Sequence, residues 1–252
     1  MIEAPDFFTR ADGVQLAYRF TSGSGPLLVF LPGYMSDMEG GKAQAVFAHA
    51  MASGQACLLL DYSGCGSSEG AFEDGTLDIW RDDVLALIGH VWPEGQVIPI
   101  GSSMGGWLAL LVALELKQRV AGLIGIAAAP DFTDWGFTDA QKAELRNNGR
   151  IVEASDYDDA GYVTTYGFWK SGEASRLLDG GIAIACPVRF LHGQADNVVP
   201  WQIPLRAAEQ LVSGDVQTVL VKDGDHRLSR DSDISLLIGM IEGLKSYRFT
   251  SE

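Results

Sequence analysis

Short apolar runs alternate along this chain with stretches of helical periodicity, and this alternation restricts the possible fold more than any other feature. Apolar runs of about four to eight residues are typical of buried strands, and helices between them favour parallel pairing. The first two runs are separated only by Ala11, Asp12 and Gly13, which predicts an antiparallel hairpin. The predicted strands are Phe7–Arg10, Val14–Phe20, Pro26–Leu31, Ala56–Asp61, Val97–Ile100, Val120–Ala127, Val188–His192 and Gln217–Val221. We therefore expect an α/β protein with an eight-stranded, mostly parallel sheet flanked by helices.

One segment, residues 131–181, interrupts this alternation after the sixth strand. It contains a candidate amphipathic helix, Thr138–Asn147, and an aromatic-rich stretch, Tyr157–Trp169. Long segments inside a compact domain often cover an active site, so we expect a small lid, with a plain surface insertion as the alternative. The core is then formed by residues 1–130 and 182–252. Its predicted helices are at about residues 39–52, 77–91, 104–117, 201–212 and 231–246.

Charge and composition exclude several classes of function. The formal net charge of −15 would repel a phosphate backbone, so no nucleic-acid partner is expected. The most apolar stretch, residues 105–129, is interrupted by charged side chains, and no stable membrane insertion is expected. Three widely spaced cysteines form no metal-ligand pattern, so we expect no metal and no cofactor. No basic start followed by an apolar run opens the sequence, so we expect no signal peptide and a cytoplasmic protein. We expect it to be a monomer or a homodimer.

The motif G-x-S-x-G occurs twice, and its surroundings distinguish the two copies. Residues 101–105 follow directly on a predicted strand and lead directly into a predicted helix. This strand–turn–helix context exposes a serine oxygen at a helix N-terminus, which indicates that Ser103 is a nucleophile. Residues 66–70 begin several positions after their strand and precede an acidic turn, so we interpret Ser68 as part of a structural loop.

A serine hydroxyl needs a neighbouring imidazole to accept its proton. Of the four histidines, His49 and His90 fall within predicted helices, and His192 ends a predicted strand. Only His226 lies in a loop after the last strand, which agrees with the chain order serine, acid, histidine of one class of serine hydrolases. We predict that His226 is the general base.

The carboxylate that orients this imidazole has three candidates. Asp196 follows the preceding strand, 30 residues before His226. Asp225 is adjacent to the histidine and too close for its carboxylate to turn onto the same ring. Asp131, one strand earlier, remains the alternative, but Asp196 is favoured.

The tetrahedral intermediate of acyl transfer carries a negative oxygen that needs N–H donors. Met104, the residue after the candidate nucleophile, is expected to supply one backbone N–H. The loop after the third strand is expected to supply the other. Gly33 allows a sharp turn there, and Pro32 has no N–H, so the second donor is assigned to Tyr34.

With these motifs in place, the chain resembles the α/β-hydrolase superfamily from the first hairpin to the last helix. More narrowly, it resembles the family of mitochondrial palmitoyl-protein thioesterases and mycophenolic acid acyl-glucuronide esterases. That resemblance implies serine-dependent hydrolysis of thioesters and esters, with Ser103, Asp196 and His226 at the positions of the family's triad. The matching segments, spread over about residues 25–245, are 32–36, 61–64, 101–107, 186–189, 199–201 and 225–227.

The leading hypothesis is a carboxylesterase or acyl-thioesterase that acts on a small-molecule ester or thioester through an acyl-enzyme. A peptidase that binds a free amine is an alternative, for which Asp156, Asp158 and Asp159 would have to face the pocket. A carbon–carbon bond hydrolase and a non-catalytic ligand receptor also remain open. Aromatic residues of the insertion favour an apolar pocket, and we expect Trp135, Tyr166 and Trp169 to bind substrate. The full aromatic set is Trp135, Phe137, Tyr157, Tyr162, Tyr166, Phe168 and Trp169.

Overall fold

The computed structural model describes residues 4–153 and 161–245. The eight strands predicted from the apolar runs are confirmed, and the structure has two further strands, which form a hairpin within residues 131–181. The strands of these described residues are β1 (Asp6–Thr9), β2 (Gln15–Thr21), β3 (Ser24–Leu31), β4 (Gln55–Leu60), β5 (Val97–Ser102), β6 (Leu123–Ile126), β7 (Arg150–Glu153), β8 (Tyr162–Thr165), β9 (Val188–Gly193) and β10 (Val216–Val221).

The five helices predicted for the core are all present, with ends within a few residues of the expected positions. The capping side chains explain some of these ends, as at Thr76, whose hydroxyl accepts from Ile79 N and begins the second helix. The helices of the described residues are α1 (Gly41–Ser53), α2 (Leu77–Val91), α3 (Met104–Leu116), α4 (Phe132–Trp135), α5 (Asp139–Asn148), α6 (Tyr166–Ala174), α7 (Ile203–Gln210) and α8 (Asp231–Lys245).

The main sheet has eight strands in the order β1-β2-β4-β3-β5-β6-β9-β10. Pairing from β4 to β10 is parallel, whereas β2 pairs antiparallel with both β1 and β4. The carboxyl ends of the parallel strands therefore meet at one edge of the sheet. In α/β proteins this edge is where ligands bind, since the loops that leave it converge.

The sheet is buried on both faces, which explains the nearly continuous apolar runs of its central strands. Leu27, Val29 and Leu31 of β3 pack on the face that α2 and α3 cover. The alternate residues Leu28 and Phe30 pack on the opposite face, against α1 and α8. This sandwich of helices around the sheet gives the strand ends a rigid support.

The sixth strand is shorter than predicted. Val120 makes only an isolated bridge with Val97, and regular pairing in β6 begins at Leu123. At the other end, Ala127 has a φ of 44°, a conformation that ends an extended strand. Apolar character alone does not reveal these backbone changes, which is why the run Val120–Ala127 predicts too long a strand.

Residues 131–181, which we call the insertion, follow β6 as expected. Thr138 caps α5 through a reciprocal pair of hydrogen bonds with Gln141, close to the predicted start of that helix. The antiparallel pair β7–β8 and helix α6 complete the described part. Tyr157 and the three carboxylates that a peptidase would need, Asp156, Asp158 and Asp159, lie outside the described residues.

Candidate active site

Ser103 occupies a sharp turn between β5 and α3. Its φ of 56° and ψ of −120° are uncommon for a residue with a side chain. The flanking glycines make this turn possible: a Cβ at Gly101 would lie 2.0 Å from Gly105 O, and a Cβ at Gly105 would lie 2.1 Å from Leu31 O. The strand–turn–helix context predicted for this copy of the motif is therefore present, with the serine at the N-terminus of α3.

The second copy of the motif is a structural loop, as expected. Ser68 Oγ donates to Asp61 O at 2.7 Å and accepts from Ala17 N at 2.8 Å. The buried carboxylate of Asp61 accepts from Met38 N and Ser67 N, both at 2.8 Å. These bonds join the loop to β2 and use both functions of the Ser68 hydroxyl.

Ser103, His226 and Asp196 form a continuous hydrogen-bonded chain. His226 Nε2 lies 3.1 Å from Ser103 Oγ, and His226 Nδ1 lies 2.8 Å from Asp196 Oδ2. The serine is at the end of β5, the aspartate follows β9 and the histidine follows β10. Three residues separated by up to 123 positions are thus brought together at one edge of the sheet.

The environment of Asp196 favours its ionised form. Burial of the carboxylate raises its pKa, but hydrogen bonds from His226 and from Val199 N outweigh burial and hold the pKa below its usual value. Asp196 Oδ1 accepts from Val198 N at 2.8 Å and from Val199 N at 2.9 Å. A carboxylate fixed in this way can hold the imidazole in one tautomer and stabilise an imidazolium.

The two competing carboxylates have other partners. Asp131 accepts from the backbone N–H groups of Leu177 and Leu178, both at 2.8 Å, so it fixes the return of the insertion to the core. Burial outweighs these hydrogen bonds and raises the pKa of Asp131, whereas hydrogen bonds hold the pKa of Asp196 below its usual value. Asp225 accepts from Leu228 N at 2.9 Å within its own turn.

The remaining histidines are not hydrogen-bonded to Ser103. His49 pairs with Glu242 on the surface between α1 and α8. His90 packs beside the rings of Phe8 and Tyr18. His192 is buried at the end of β9, where its Nε2 lies 3.0 Å from Val199 O.

The two proposed oxyanion donors belong to segments next to Ser103. Met104 is the first residue of α3, where backbone N–H groups have no partner within the helix and the helix dipole favours negative charge. The Gly33–Tyr34 turn follows β3, and a Cβ at Gly33 would lie 3.5 Å from Ser103 Cβ. The loop therefore passes directly beside Ser103.

A cavity of about 720 Å³ opens over Ser103 and His226. One part of its wall is apolar, and the other carries charged and polar groups. The apolar members include Met35, Met104, Ala129, Phe132, Trp135, Phe137, Val198 and Val199. The polar members include Ser36, Lys42, Glu153, Thr164, Asn197, Asp225 and Arg227.

Of the three aromatic residues predicted to bind substrate, the structure places Trp135 alone in the cavity wall. Trp169 is instead buried inside the insertion, where it packs with Leu145 and Ile151 and donates from Nε1 to Thr133 O at 3.1 Å. Tyr166 packs against the ring of Trp169, with centroids 5.8 Å apart. The expectation for Tyr166 and Trp169 is corrected, because neither ring lines the cavity: Trp169 belongs to a small core of the insertion's own, and Tyr166 is partly exposed beside it.

Several residues of the cavity wall carry no recognisable signal in the sequence. Phe132 follows the candidate acid Asp131, and Lys42 lies in the first turn of α1. Glu153 ends β7. In the sequence alone, a single aromatic or charged residue at these positions looks the same as a surface or packing residue. Only the folded arrangement of the helices and strands shows that it lines the cavity.

Comparison with known proteins agrees with this fold and geometry. A family model described as serine aminopeptidase, S33, matches residues 25–167. Human mitochondrial palmitoyl-protein thioesterase ABHD10 is 40% identical over 242 residues, which are 94% of this chain and 79% of the human protein. The mouse α/β-hydrolase domain-containing protein 10 structure has a TM-score of 0.89 and 40% identity, and the match covers 96% of this chain and 98% of the mouse chain.

A bacterial structure is similarly close. A putative hydrolase from Agrobacterium vitis S4 has a TM-score of 0.87 and 39% identity, with 96% of this chain and 97% of that chain covered. The mammalian relative's name includes a mitochondrial location, which does not fit the expectation of a purely cytoplasmic protein. Among residues 4–153 and 161–245, every helix is too short or too polar to cross a bilayer.

The expected resemblance and fold are confirmed. The expected enzyme class is confirmed as well, because the matched relatives are named as a thioesterase and a hydrolase. The chain belongs to the α/β-hydrolase family whose model is described as serine aminopeptidase, S33, and it is a hydrolase.

Proposed function

We propose that this protein cleaves carboxylic esters or acyl thioesters through a Ser103–His226–Asp196 triad. The observation that carries the proposal is the hydrogen-bonded chain from Ser103 Oγ through His226 to Asp196, at 3.1 Å and 2.8 Å. A serine joined to an imidazole that a carboxylate orients is the arrangement needed for nucleophilic attack on an acyl carbon.

The reaction begins when Ser103 Oγ attacks the acyl carbon as His226 Nε2 accepts its proton. Asp196 stabilises the resulting imidazolium through Nδ1–H. The oxygen of the tetrahedral intermediate accepts from the backbone N–H groups of Met104 and Tyr34. His226 then protonates the leaving alcohol or thiol as the bond to carbon breaks, which leaves an acyl group on Ser103.

Deacylation repeats these steps with water. His226 accepts a proton from the water as its oxygen attacks the acyl carbon, and the second tetrahedral intermediate uses the same two N–H donors. Collapse of this intermediate returns the proton to Ser103 Oγ and releases the carboxylic acid. One ester or thioester and one water thus give one acid and one alcohol or thiol.

The insertion is proposed as a lid that shapes the acyl site. Phe132, Trp135 and Phe137 belong to it and contribute apolar wall to the cavity. The relative named palmitoyl-protein thioesterase supports a thioester substrate, and the apolar wall is suited to an acyl chain.

The description of the family model raises a second candidate, removal of an N-terminal amino acid. Such a reaction needs a carboxylate near the cavity to bind a free ammonium group. Glu153 and Asp225 line the cavity, but Lys42 and Arg227 line it as well, so the charge of the wall is mixed. This mixture favours an ester or thioester substrate without a free amine.

The test is turnover of p-nitrophenyl esters of increasing chain length, beside acyl thioesters and an aminoacyl p-nitroanilide. We expect ester and thioester cleavage, with little release of nitroaniline. Ser103→Ala should lower kcat at least about 10³-fold, whereas the matched variant Ser68→Ala should keep most of the activity. Turnover of the anilide alone, or full activity of Ser103→Ala, would overturn the proposal.

A further inference from the structure

His192 is a buried imidazole next to the triad that the mechanism above does not use. It is the second-last residue of β9, and its side chain is completely inaccessible to solvent. Asp196 lies four residues further along the chain, on the loop that leaves this strand. A polar side chain in such a place costs free energy unless its hydrogen-bonding groups are used.

The hydrogen bonds of His192 determine its tautomer. Nε2 lies 3.0 Å from Val199 O, and a carbonyl oxygen can only accept, so Nε2 carries the hydrogen. The same nitrogen lies 3.4 Å from Asp196 Oδ2. Within the described part of the chain, the Nδ1 atom is buried without a hydrogen-bond partner.

His192 is neutral in this environment. Burial lowers its pKa, and a second proton would have to sit on Nδ1, where no acceptor is present among the described residues. The titratable groups that face it are Asp196, from the loop after β9, and His226, from the loop after β10. The ring therefore offers the site an N–H dipole rather than a positive charge, and it does not compete with His226 for a proton.

The His192 N–H contacts Val199, one of the residues that orient the Asp196 carboxylate. Val199 is bonded on both sides, because its N–H donates to Asp196 Oδ1 at 2.9 Å and its carbonyl accepts from His192. Oδ1 is fixed by two backbone N–H groups, and Oδ2 lies between His226 Nδ1 at 2.8 Å and His192 Nε2 at 3.4 Å. Rotation of the carboxylate away from His226 would break this set of contacts.

An apolar side chain would fill the same space without leaving a buried nitrogen unpartnered. What distinguishes an imidazole from such a side chain is its Nε2–H, which donates to Val199 O, while Nε2 lies 3.4 Å from Asp196 Oδ2. We propose that His192 is a positioning residue that holds the Asp196 carboxylate in the orientation needed by His226. This role rests on the proposed function, since it acts through the triad.

Three variants separate positioning from packing. His192→Phe keeps a ring but removes the N–H. His192→Gln can place an amide N–H near the position of Nε2, whereas the shorter His192→Asn places its amide near the position of Nδ1. We expect His192→Phe and His192→Asn to lose on the order of 10-fold or more in kcat with little change in KM. His192→Gln should recover most of that loss.

The pH profile gives a readout that a purely structural role would not move. A carboxylate that is turned away stabilises the His226 imidazolium less, so the acid limb of kcat/KM should move to lower pH in His192→Phe. In His192→Gln it should stay at the wild-type position. Equal losses in Phe and Gln variants without a shift of the acid limb would overturn the proposal, as would full activity of His192→Phe.

A measurement without substrate separates this proposal from the proposed function. The His226 Nδ1–H that donates to Asp196 should give a far-downfield proton resonance in the NMR spectrum of acidified wild-type protein. We expect this resonance in His192→Gln and its loss or upfield movement in His192→Phe, with both proteins folded by circular dichroism. An unchanged resonance in folded His192→Phe would contradict the positioning role, whether or not the wild type cleaves esters.

Discussion

Tyr34 Oη donates a hydrogen bond to Val163 O at 2.7 Å, which joins the loop after β3 to strand β8 of the insertion. The backbone N–H of Tyr34 is a proposed donor to the negative oxygen of the tetrahedral intermediate. Tyr34 therefore links the proposed oxyanion site to the proposed lid. The ring of Tyr34 is also packed against Phe72, Trp80 and Phe168. The position of its N–H is therefore fixed by contacts with both the core and the insertion.

Tyr34→Phe should test this link. The variant keeps the ring contacts and removes the hydroxyl, with its bond to Val163 O and its interaction with Thr164, so the loop after β3 should be held less tightly. We expect kcat to fall several-fold, with the free energy of unfolding reduced by about 1 kcal/mol. Steady-state kinetics and urea unfolding measure the two effects. An unchanged kcat together with the reduced stability would show that the bond serves the insertion alone.

Asp196→Asn and Asp131→Asn form a matched pair of carboxylate variants. The first should lower kcat by about 10⁴-fold, because the amide cannot hold the imidazole in the same tautomer and stabilise its charge. The second should leave kcat near the wild-type value and destabilise the fold by about 1–3 kcal/mol, because Asp131 accepts from Leu177 and Leu178. The reverse pattern would assign the acid to Asp131.

The lowered pKa of Asp196 also predicts how stability depends on pH. Its pKa is lower in the folded than in the unfolded chain, so its contribution is complete above the unfolded value of about 3.9. As pH falls through that value and on through the folded pKa, the unfolded chain takes up the proton first and this contribution is lost. Urea unfolding gives the free energy of unfolding of the wild type and of Asp196→Asn. The difference between the two should be constant above about pH 5, and below pH 4 the wild type should lose stability relative to the variant. A difference that stays constant to pH 3 would contradict the assigned direction.

Trp135→Ala and Trp169→Ala should have different effects. Trp135 lines the cavity, and its loss should change KM and the preferred acyl chain length. Trp169 packs in the insertion, and its loss should destabilise the fold by about 3–5 kcal/mol with less effect on chain-length preference. Kinetics on an ester series, beside thermal unfolding, measures both. A chain-length change confined to Trp169→Ala would return that residue to the substrate site.

Local patterns predicted the parts of this protein that local chemistry controls. The alternation of apolar runs predicted the eight-stranded sheet, and the residues around Gly101 and Gly105 predicted the turn that holds Ser103. The chain order of Asp196 and His226 then identified two side chains that the structure brings to that serine. These features depend on neighbouring residues or on the rule that parallel strands end at one edge.

The insertion was less predictable because its packing is set by contacts that are distant in sequence. Trp135 and Trp169 are both aromatic residues of one segment, yet one faces the cavity and the other packs on Leu145 and Ile151. The contact between His192 and Asp196 depends likewise on how the loop folds back over β9. No periodicity in the sequence distinguishes these cases.

The most direct test of the central claim is covalent labelling of Ser103, the proposed nucleophile. An alkyl fluorophosphonate reacts with an activated serine, and peptide mass spectrometry locates the adduct. We predict one equivalent of label on the peptide that contains Ser103, with greatly slowed labelling in His226→Ala and unchanged labelling in Ser68→Ala. Stoichiometric label on Ser68, or no label at Ser103 in folded wild-type protein, would contradict the account.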